Sequence, residues 1–178
     1  MGKLFSHCLT FLVVCLLLHG CGYRNPYLSS DDDRGDPVRL HLMYWKNQTN
    51  ELGLESLIHQ KLTTWVIQSK QIKLVASPEE AEMLLQGTIL AIEYPGNTFD
   101  DIDKARTLKA IMEFSYVLKD AESKKTLLSK RARRETAYAV GKDALFSQSN
   151  KKLALQKVAD DLSEDIYLRL FYYLTAKH

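Results

Sequence analysis

A short apolar run near the start of the chain ends in the dipeptide Gly20-Cys21, and this junction constrains how the chain is processed and where the rest of it is located. Lys3 places a positive charge before the run, residues 8–18 (CLTFLVVCLLL) form its apolar centre, and Gly20 is a small residue before a cleavage site. This order of segments is typical of a secretory signal peptide. The run is short for crossing a bilayer, which disfavours the alternative of a retained membrane helix. We therefore predict that residues 1–20 are removed and that the mature chain begins at Cys21.

Cys21 directly follows a small residue, a pattern that resembles a bacterial lipobox. In that motif the cysteine sulfur is lipidated and the cysteine becomes the acylated N-terminus. His19 departs from the pattern, which usually has a small or aliphatic residue there, and an ordinary buried or disulfide-bonded Cys21 is the alternative. Several acyl chains on one cysteine anchor a protein firmly in a membrane, whereas a single acyl chain anchors it only reversibly. The resemblance predicts a protein that is anchored to a membrane by lipid and does not span it.

The two remaining cysteines and Gly22 extend this interpretation. Cys8 and Cys15 leave with the signal peptide, so the mature chain keeps no thiol for a disulfide or a metal site, although export would permit disulfides. The fold must therefore depend on its hydrophobic core. In bacteria whose sorting reads the position after the lipidated cysteine, an Asp retains the protein at the inner membrane. Gly22 is not an Asp, so the chain resembles lipoproteins that are sorted to the outer membrane instead.

Length and charge indicate one domain without a general affinity for nucleic acid. Removing residues 1–20 from the 178 leaves 158, which suits one domain with a real core. The 24 basic and 22 acidic residues nearly cancel, so any electrostatic partner must meet a local patch. Residues 22–37 (GYRNPYLSSDDDRGDP) have the composition of a tether, which at about 3.3 Å per residue spans at most about 50 Å. We predict a signal peptide at 1–20, a lipidated N-terminus and tether at 21–37, and one domain at 38–178.

Hydrophobic periodicity predicts strands separated by helices. The predicted strands cover residues 38–45, 72–76, 83–94, 107–119 and 126–140. The predicted helices cover residues 52–69 and 143–174, with a helical turn at 77–80 capped by Ser77. Neither helix is apolar all round, and the clearest strand, 107–119, has one apolar face. We therefore predict a two-layer α/β (α+β) sandwich, with both helices on one face of a four- to five-stranded, mostly antiparallel sheet.

Two periodic runs define the predicted core. On the first strand, one side carries Val38, Leu40, Leu42 and Tyr44. On the last helix, the packing stripe consists of Leu155, Val158, Leu162, Ile166, Leu170 and Tyr173. These residues are expected to face one another between the layers.

The mature chain offers little for catalysis. Its histidines are His41, His59 and His178, and none has a His, Cys or carboxylate at the spacing of metal ligands on a shared face. The sequence has no G-x-S-x-G elbow, no phosphate-binding glycine loop and no H-E-x-x-H motif. We therefore predict a protein that is not an enzyme and that needs no metal or cofactor beyond the lipid on Cys21.

Several segments together resemble the LptE family of lipopolysaccharide-assembly lipoproteins. They are CGYRNPY at 21–27, YWKNQTNELGLES at 44–56, IKLVASPEEAEMLLQG at 72–87 and IYLRL at 166–170. The likeness extends over nearly the whole mature chain, and the KNQT turn with Gly53 to Glu55 is its most telling part. The resemblance implies an outer-membrane lipoprotein of a Gram-negative bacterium with helices packed on a sheet. It also implies that the protein sits inside the β-barrel partner LptD and helps deliver lipopolysaccharide to the cell surface.

A basic cluster in residues 126–140 is the candidate ligand site, comprising Lys130, Arg131, Arg133 and Arg134. Alternation places Arg131 and Arg133 on one face of the strand and Lys130 and Arg134 on the other. A strand that is basic on both faces is expected at a sheet edge or a projecting hairpin end. There the cluster could contact the phosphates and acidic sugars of lipopolysaccharide, or it could only protect the edge from pairing.

A different class of function remains open at this point. Small lipoproteins also serve as pilotins for secretion pores or as tethered activators of cell-wall synthases. A tether of many tens of residues would favour an activator that reaches through the peptidoglycan. The tether here, residues 22–37, has only about sixteen residues. The short tether favours a partner at the same membrane.

Overall fold

A computed structural model describes residues 36–99 and 105–176. The strands are β1 (Val38–Leu42), β2 (Lys46–Asn47), β3 (Ile72–Leu74), β4 (Met83–Glu93), β5 (Gly96–Phe99), β6 (Ala105–Asp120) and β7 (Thr126–Ala139). The helices are α1 (Leu54–Val66) and α2 (Ala144–Thr175), and a short 3-10 turn covers Pro78–Glu80. Each predicted helix and strand is present, and β2 and β5 are additions that the periodicity did not predict.

In the described part of the chain, the sheet has seven strands that occupy five positions. The five positions are, in order, β3, β1, β4, β6 and β7. The short strand β2 continues the position of β1 and pairs with β4. The short strand β5 continues the position of β4 and pairs with β6. The long pairings of β6 with β4 and β7 are antiparallel, as predicted. The first three positions are parallel to one another, because α1 carries the chain from β1 back to β3 in the same direction. The sheet is therefore mixed.

The hydrophobic core lies between one face of the sheet and the two helices. On β6 the core face carries Ala110, Met112, Phe114, Tyr116 and Leu118, all at most 1% exposed. The α2 stripe of Leu155, Val158, Leu162, Ile166 and Leu170 belongs to the same cluster, as do Ile58 and Leu62 of α1. The prediction of two helices on one face of the sheet is confirmed, and the opposite face, here called the open face, remains uncovered by either helix.

The first strand ends earlier than its alternation predicts. The chain leaves β1 after Leu42, so Tyr44 is 69% exposed rather than on the packing side, and Trp45 is buried in its place. The indole of Trp45 lies against the backbone of Gly87 in β4, where a Cβ atom would overlap its ring. Gly87 therefore provides the space in which Trp45 closes this side of the core.

Replacing Gly87 with alanine is expected to destabilise the domain by about 1–3 kcal/mol, because the added methyl group overpacks the contact with Trp45. Urea unfolding of the purified domain measures the change in the free energy of unfolding. The same substitution in a Trp45→Leu background is the control, since a smaller ring-free side chain relieves the overlap. An equal cost in both backgrounds would contradict this explanation.

Candidate functional sites on the edge strand and at the far end of the sheet

The basic cluster lies on β7, which pairs with β6 and forms one edge of the sheet. Arg131 lies opposite Ser115 and Arg133 opposite Glu113, which places both arginines on the open face. Lys130 lies opposite the buried Tyr116, and Arg134 opposite the buried Met112, so this pair is on the helix face. The predicted edge position and the predicted division of the cluster between two faces are confirmed.

The two arginines of the open face take part in a ladder of exposed ion pairs. Arg131 contacts Glu113 at 2.7 Å, and Arg133 contacts Glu135 at 3.8 Å. The hydrogen bond from Arg131 lowers the pKa of Glu113, and the hydrogen bond from Lys109 lowers the pKa of Glu135. Exposed ion pairs of this kind contribute only about 0–1 kcal/mol each to stability. Because these pairs are weak, an anionic ligand can displace Glu113 and Glu135 from the two guanidinium groups. The side chains of Arg131 and Arg133 are 67% and 58% exposed.

On the helix face, Arg134 has a structural role instead. Arg134 bridges to Asp165 of α2 at 3.0 Å, and Arg169 makes a second contact with the same carboxylate. Burial raises the pKa of Asp165, but the hydrogen bond from Arg169 and the charges of Arg134 and Lys130 outweigh it and lower the pKa overall. Arg134 therefore fastens the edge strand to α2. The four basic residues do not form one surface, and only Arg131 and Arg133 face outward from the open face.

A second polar centre organises the loop between β2 and α1. The side-chain amide of Asn47 donates to the carbonyl oxygen of Glu51 at 2.8 Å and to the carboxylate of Glu55 at 2.9 Å. Its carbonyl oxygen accepts from the backbone N–H and the hydroxyl of Thr49. Gly53 follows with φ of 84°, a left-handed conformation that glycine adopts without strain, and α1 begins at the next residue. The KNQT segment is thus a turn built around Asn47.

Glu51 connects this turn to Tyr94, the residue directly after β4, and to α2. Its carboxylate accepts hydrogen bonds from the Tyr94 hydroxyl and from the Lys151 ammonium, each at 2.6 Å. Burial raises the pKa of Glu51, while its bonds to Lys151 and Tyr94 lower it, and the net effect is a lowered pKa. Burial and the Glu51 carboxylate raise the pKa of Tyr94. Lys151 also lies 4.3 Å from the centre of the Tyr94 ring, so three elements are joined at this end of the sheet.

A groove of about 630 Å³ lies beside this polar centre, between the first turns of α1 and α2. Its lining includes Leu52, Leu54, Leu57, Leu145 and Leu155, with Lys151 and Lys152 among the polar residues. Leu52 and Leu145 are 92% and 77% exposed. The sequence did not predict this centre, because Tyr94 and Lys151 belong to separate elements and share no local pattern with Glu51. The KNQT turn was the one available signal.

His41 and His59 are the histidines that the structure describes, and neither belongs to a group of metal-binding side chains there. Within residues 36–99 and 105–176, no group of three His, Cys, Asp or Glu side chains could hold a metal ion. His41 and His59 line a common groove, where Tyr44 stacks on His59 with ring centres 4.9 Å apart. His178 and Cys21 lie outside the described residues. Across that described part, no helix has the length and apolar character needed to cross a membrane.

Several solved structures share this architecture. Lipoprotein B from Nitrosomonas europaea has a TM-score of 0.57 at 14% identity, with 83% of this chain and 93% of that chain covered. Rare lipoprotein B from Shewanella oneidensis has a TM-score of 0.53 at 12% identity, with 79% and 99% covered. The hypothetical protein CT253 from Chlamydia trachomatis has a TM-score of 0.59 at 11% identity, with 79% and 99% covered. The chain therefore shares its fold with these three proteins, two of which are lipoproteins.

Residues 38–170 match the LptE family, described as lipopolysaccharide-assembly. The chain belongs to this family, which confirms the resemblance predicted from the sequence. The family comprises non-enzymatic accessory lipoproteins of the Gram-negative outer membrane and is not known to need a cofactor. A search of curated proteins finds no match.

Proposed function

We propose that this chain is a lipid-anchored outer-membrane lipoprotein that helps an LptD-like β-barrel deliver lipopolysaccharide to the cell surface. The family match over residues 38–170 carries the proposal, because it spans nearly the whole described domain. Cys21 supplies the candidate lipidation site, and Gly22 has the character expected for sorting to the outer membrane. The short tether keeps the domain close to the membrane that holds the anchor.

Co-purification tests the partner. The full chain carrying a C-terminal affinity tag is isolated from solubilised outer membranes, and the proteins bound to it are identified. A stoichiometric β-barrel of the LptD type is the expected result. Recovery of the tagged chain with a secretion pore or a cell-wall synthase, and without such a barrel, would contradict the proposed partnership.

The lipopolysaccharide contact is assigned to Arg131 and Arg133, which present exposed guanidinium groups on the open face. A guanidinium can bind phosphate through two parallel hydrogen bonds, and such charge-assisted contacts are stronger than neutral ones. Lys130 lies on the helix face, where its charge helps to lower the pKa of Asp165, and Arg134 forms an ion pair with that carboxylate. Those two residues are therefore expected to contribute less to ligand binding, although the initial prediction included all four.

Reversing both charges in Arg131→Glu/Arg133→Glu is expected to weaken lipopolysaccharide binding by the purified domain at least about tenfold, a loss of about 1.4 kcal/mol or more. Salt should weaken the wild-type interaction as well, because exposed charges are screened over about 8 Å at physiological ionic strength. Binding is measured by titration at low and high salt, with the fold checked by circular dichroism.

The matched control is Lys125→Glu/Lys142→Glu, which makes the same change in net charge at two exposed positions outside β7, one beyond each end of the strand. Unaltered binding by the arginine variant would leave edge protection as the role of the cluster. Equal weakening by both double variants would show that only the net charge matters.

A further inference from the structure

The outer side of β7 is an unpaired strand edge. Among residues 36–99 and 105–176, β7 pairs with β6 and with no other strand. In an antiparallel pair, alternate residues direct both backbone groups toward the partner strand, and the residues between them direct both groups away. Which residues of β7 face outward can therefore be determined from its hydrogen bonds.

Three hydrogen bonds fix this alternation. The N–H of Val140, directly after β7, donates to the carbonyl oxygen of Arg106 at 2.9 Å, so even-numbered residues face β6. The carbonyl oxygen of Arg133 accepts from the Arg134 guanidinium at 3.1 Å, and that of Ala139 accepts from the Asn150 side chain at 3.0 Å. Both acceptors are odd-numbered and bind side chains, as expected for groups on the outer side. Odd-numbered residues thus present their N–H and C=O groups at the free edge.

The free edge is long enough to accept another strand. The segment from Ser129 to Ala137 has outward backbone groups at five odd-numbered residues, and the side chains of all five are exposed. One of these groups, the Arg133 carbonyl, already accepts from the Arg134 guanidinium and would have to accept the partner's N–H as a second bond. The opposite edge of the sheet, β3, has three residues. Strands of about five or six residues are common in sheets, so β7 provides a complete template whereas β3 does not.

Charge determines which kind of strand fits. An identical copy of β7 paired antiparallel about Ala132 would place Arg131 opposite Arg133 twice, and like charges in that position are destabilising. Pairing about Arg133 would also place two arginines opposite each other, but it would bring Arg131 opposite Glu135 on both sides. Charge therefore disfavours the first of these registers, and basic side chains on an edge are a general protection against pairing between copies. Carboxylates at alternate positions of an incoming strand would instead meet Arg131 and Arg133, which remain more than half exposed beside Glu113 and Glu135.

We propose that β7 is a docking edge, from Ser129 to Ala137, that receives an extended segment of a partner protein with acidic residues at alternate positions. Backbone hydrogen bonds to the odd-numbered residues would supply affinity, and the carboxylates would select the register through Arg131 and Arg133. The proposed docking edge does not depend on the proposed role in lipopolysaccharide delivery, but it uses the same Arg131 and Arg133, so an acidic strand and lipopolysaccharide would compete for them.

Hydrogen exchange of the β7 amides tests the proposal residue by residue. In the free protein, even-numbered amides are expected to exchange slowly and odd-numbered amides rapidly, which checks the alternation itself. A short peptide alternating Thr and Glu, added to about ten times its dissociation constant, should slow exchange at residues 129–137 about tenfold at odd positions only. A peptide alternating Thr and Lys is the matched control and should have no effect.

The variant Glu135→Pro removes one outward N–H, and proline is tolerated on the free side of an edge strand. It should abolish the protection by the acidic peptide, whereas Glu135→Ala, which loses the same side chain but keeps the N–H, should retain it. The proposal is overturned if the acidic peptide at millimolar concentration leaves the odd-numbered amides of the wild type unprotected. It is also overturned if the Thr-Lys peptide protects them equally, or if both variants bind the acidic peptide alike through side chains alone.

Discussion

Replacing Leu162 with alanine is expected to lower the free energy of unfolding by about 2–5 kcal/mol. Leu162 is fully buried in the middle of α2 and belongs to the core that joins both helices to the sheet. The substitution removes a buried isopropyl group and leaves a cavity that the long helix and the sheet can fill only in part. Urea unfolding followed by circular dichroism measures the loss.

The neighbouring residue provides the control. Asp161 is partly exposed and pairs with Lys157 one turn earlier on α2, so Asp161→Ala should cost less than about 0.5 kcal/mol. The two substitutions are adjacent in sequence and differ in the face of the helix that they affect. Equal effects would mean that α2 does not pack through the stripe containing Leu162.

The parts of the fold that sequence predicted are those where the pattern repeats over many residues. The alternation of β6 continues through Ala105–Asp120, and the stripe of α2 continues through Ala144–Thr175. In each element the buried face recurs often enough for periodicity to define it without knowledge of its neighbours. The predicted sandwich follows from these two elements, because each has one apolar face to cover.

Prediction was less accurate where a distant contact determines the local structure. The alternation of β1 placed Tyr44 in the core, but the space beside Gly87 accommodates Trp45 instead. No local pattern marks Gly87 as the partner of an indole 42 positions earlier. The parallel order of the first strands likewise depends on where α1 returns the chain, which periodicity alone does not specify.

The candidate sites show the same limit. Composition identified the basic cluster, and alternation divided it correctly between two faces. The different roles of its members depend on their partners, because Arg134 meets Asp165 across the layers whereas Arg131 meets Glu113 on the open face. The centre formed by Glu51, Tyr94 and Lys151 joins residues as many as 100 positions apart, so sequence alone could not assemble it.

Replacing Cys21 with alanine is expected to abolish fatty-acid labelling completely, because the cysteine sulfur is the proposed lipid acceptor. The precursor should remain uncut or be misprocessed, and the chain should no longer fractionate with the outer membrane. Cys21 lies outside the described residues and outside the family match at 38–170, so the domain itself should fold as before. Labelling with a radioactive fatty acid, followed by mass spectrometry of the N-terminal peptide, measures both effects.

The signal peptide supplies the matched controls for this experiment. Cys8→Ala and Cys15→Ala each remove a thiol from the apolar run without altering Gly20 or the residue after it. Both variants should be labelled and processed like the wild type, since alanine keeps the run apolar. A free Cys21 thiol in the wild-type protein would overturn the lipid anchor. Loss of labelling in all three variants would show that export fails before lipidation, whereas loss in Cys21→Ala alone would assign the anchor to that sulfur.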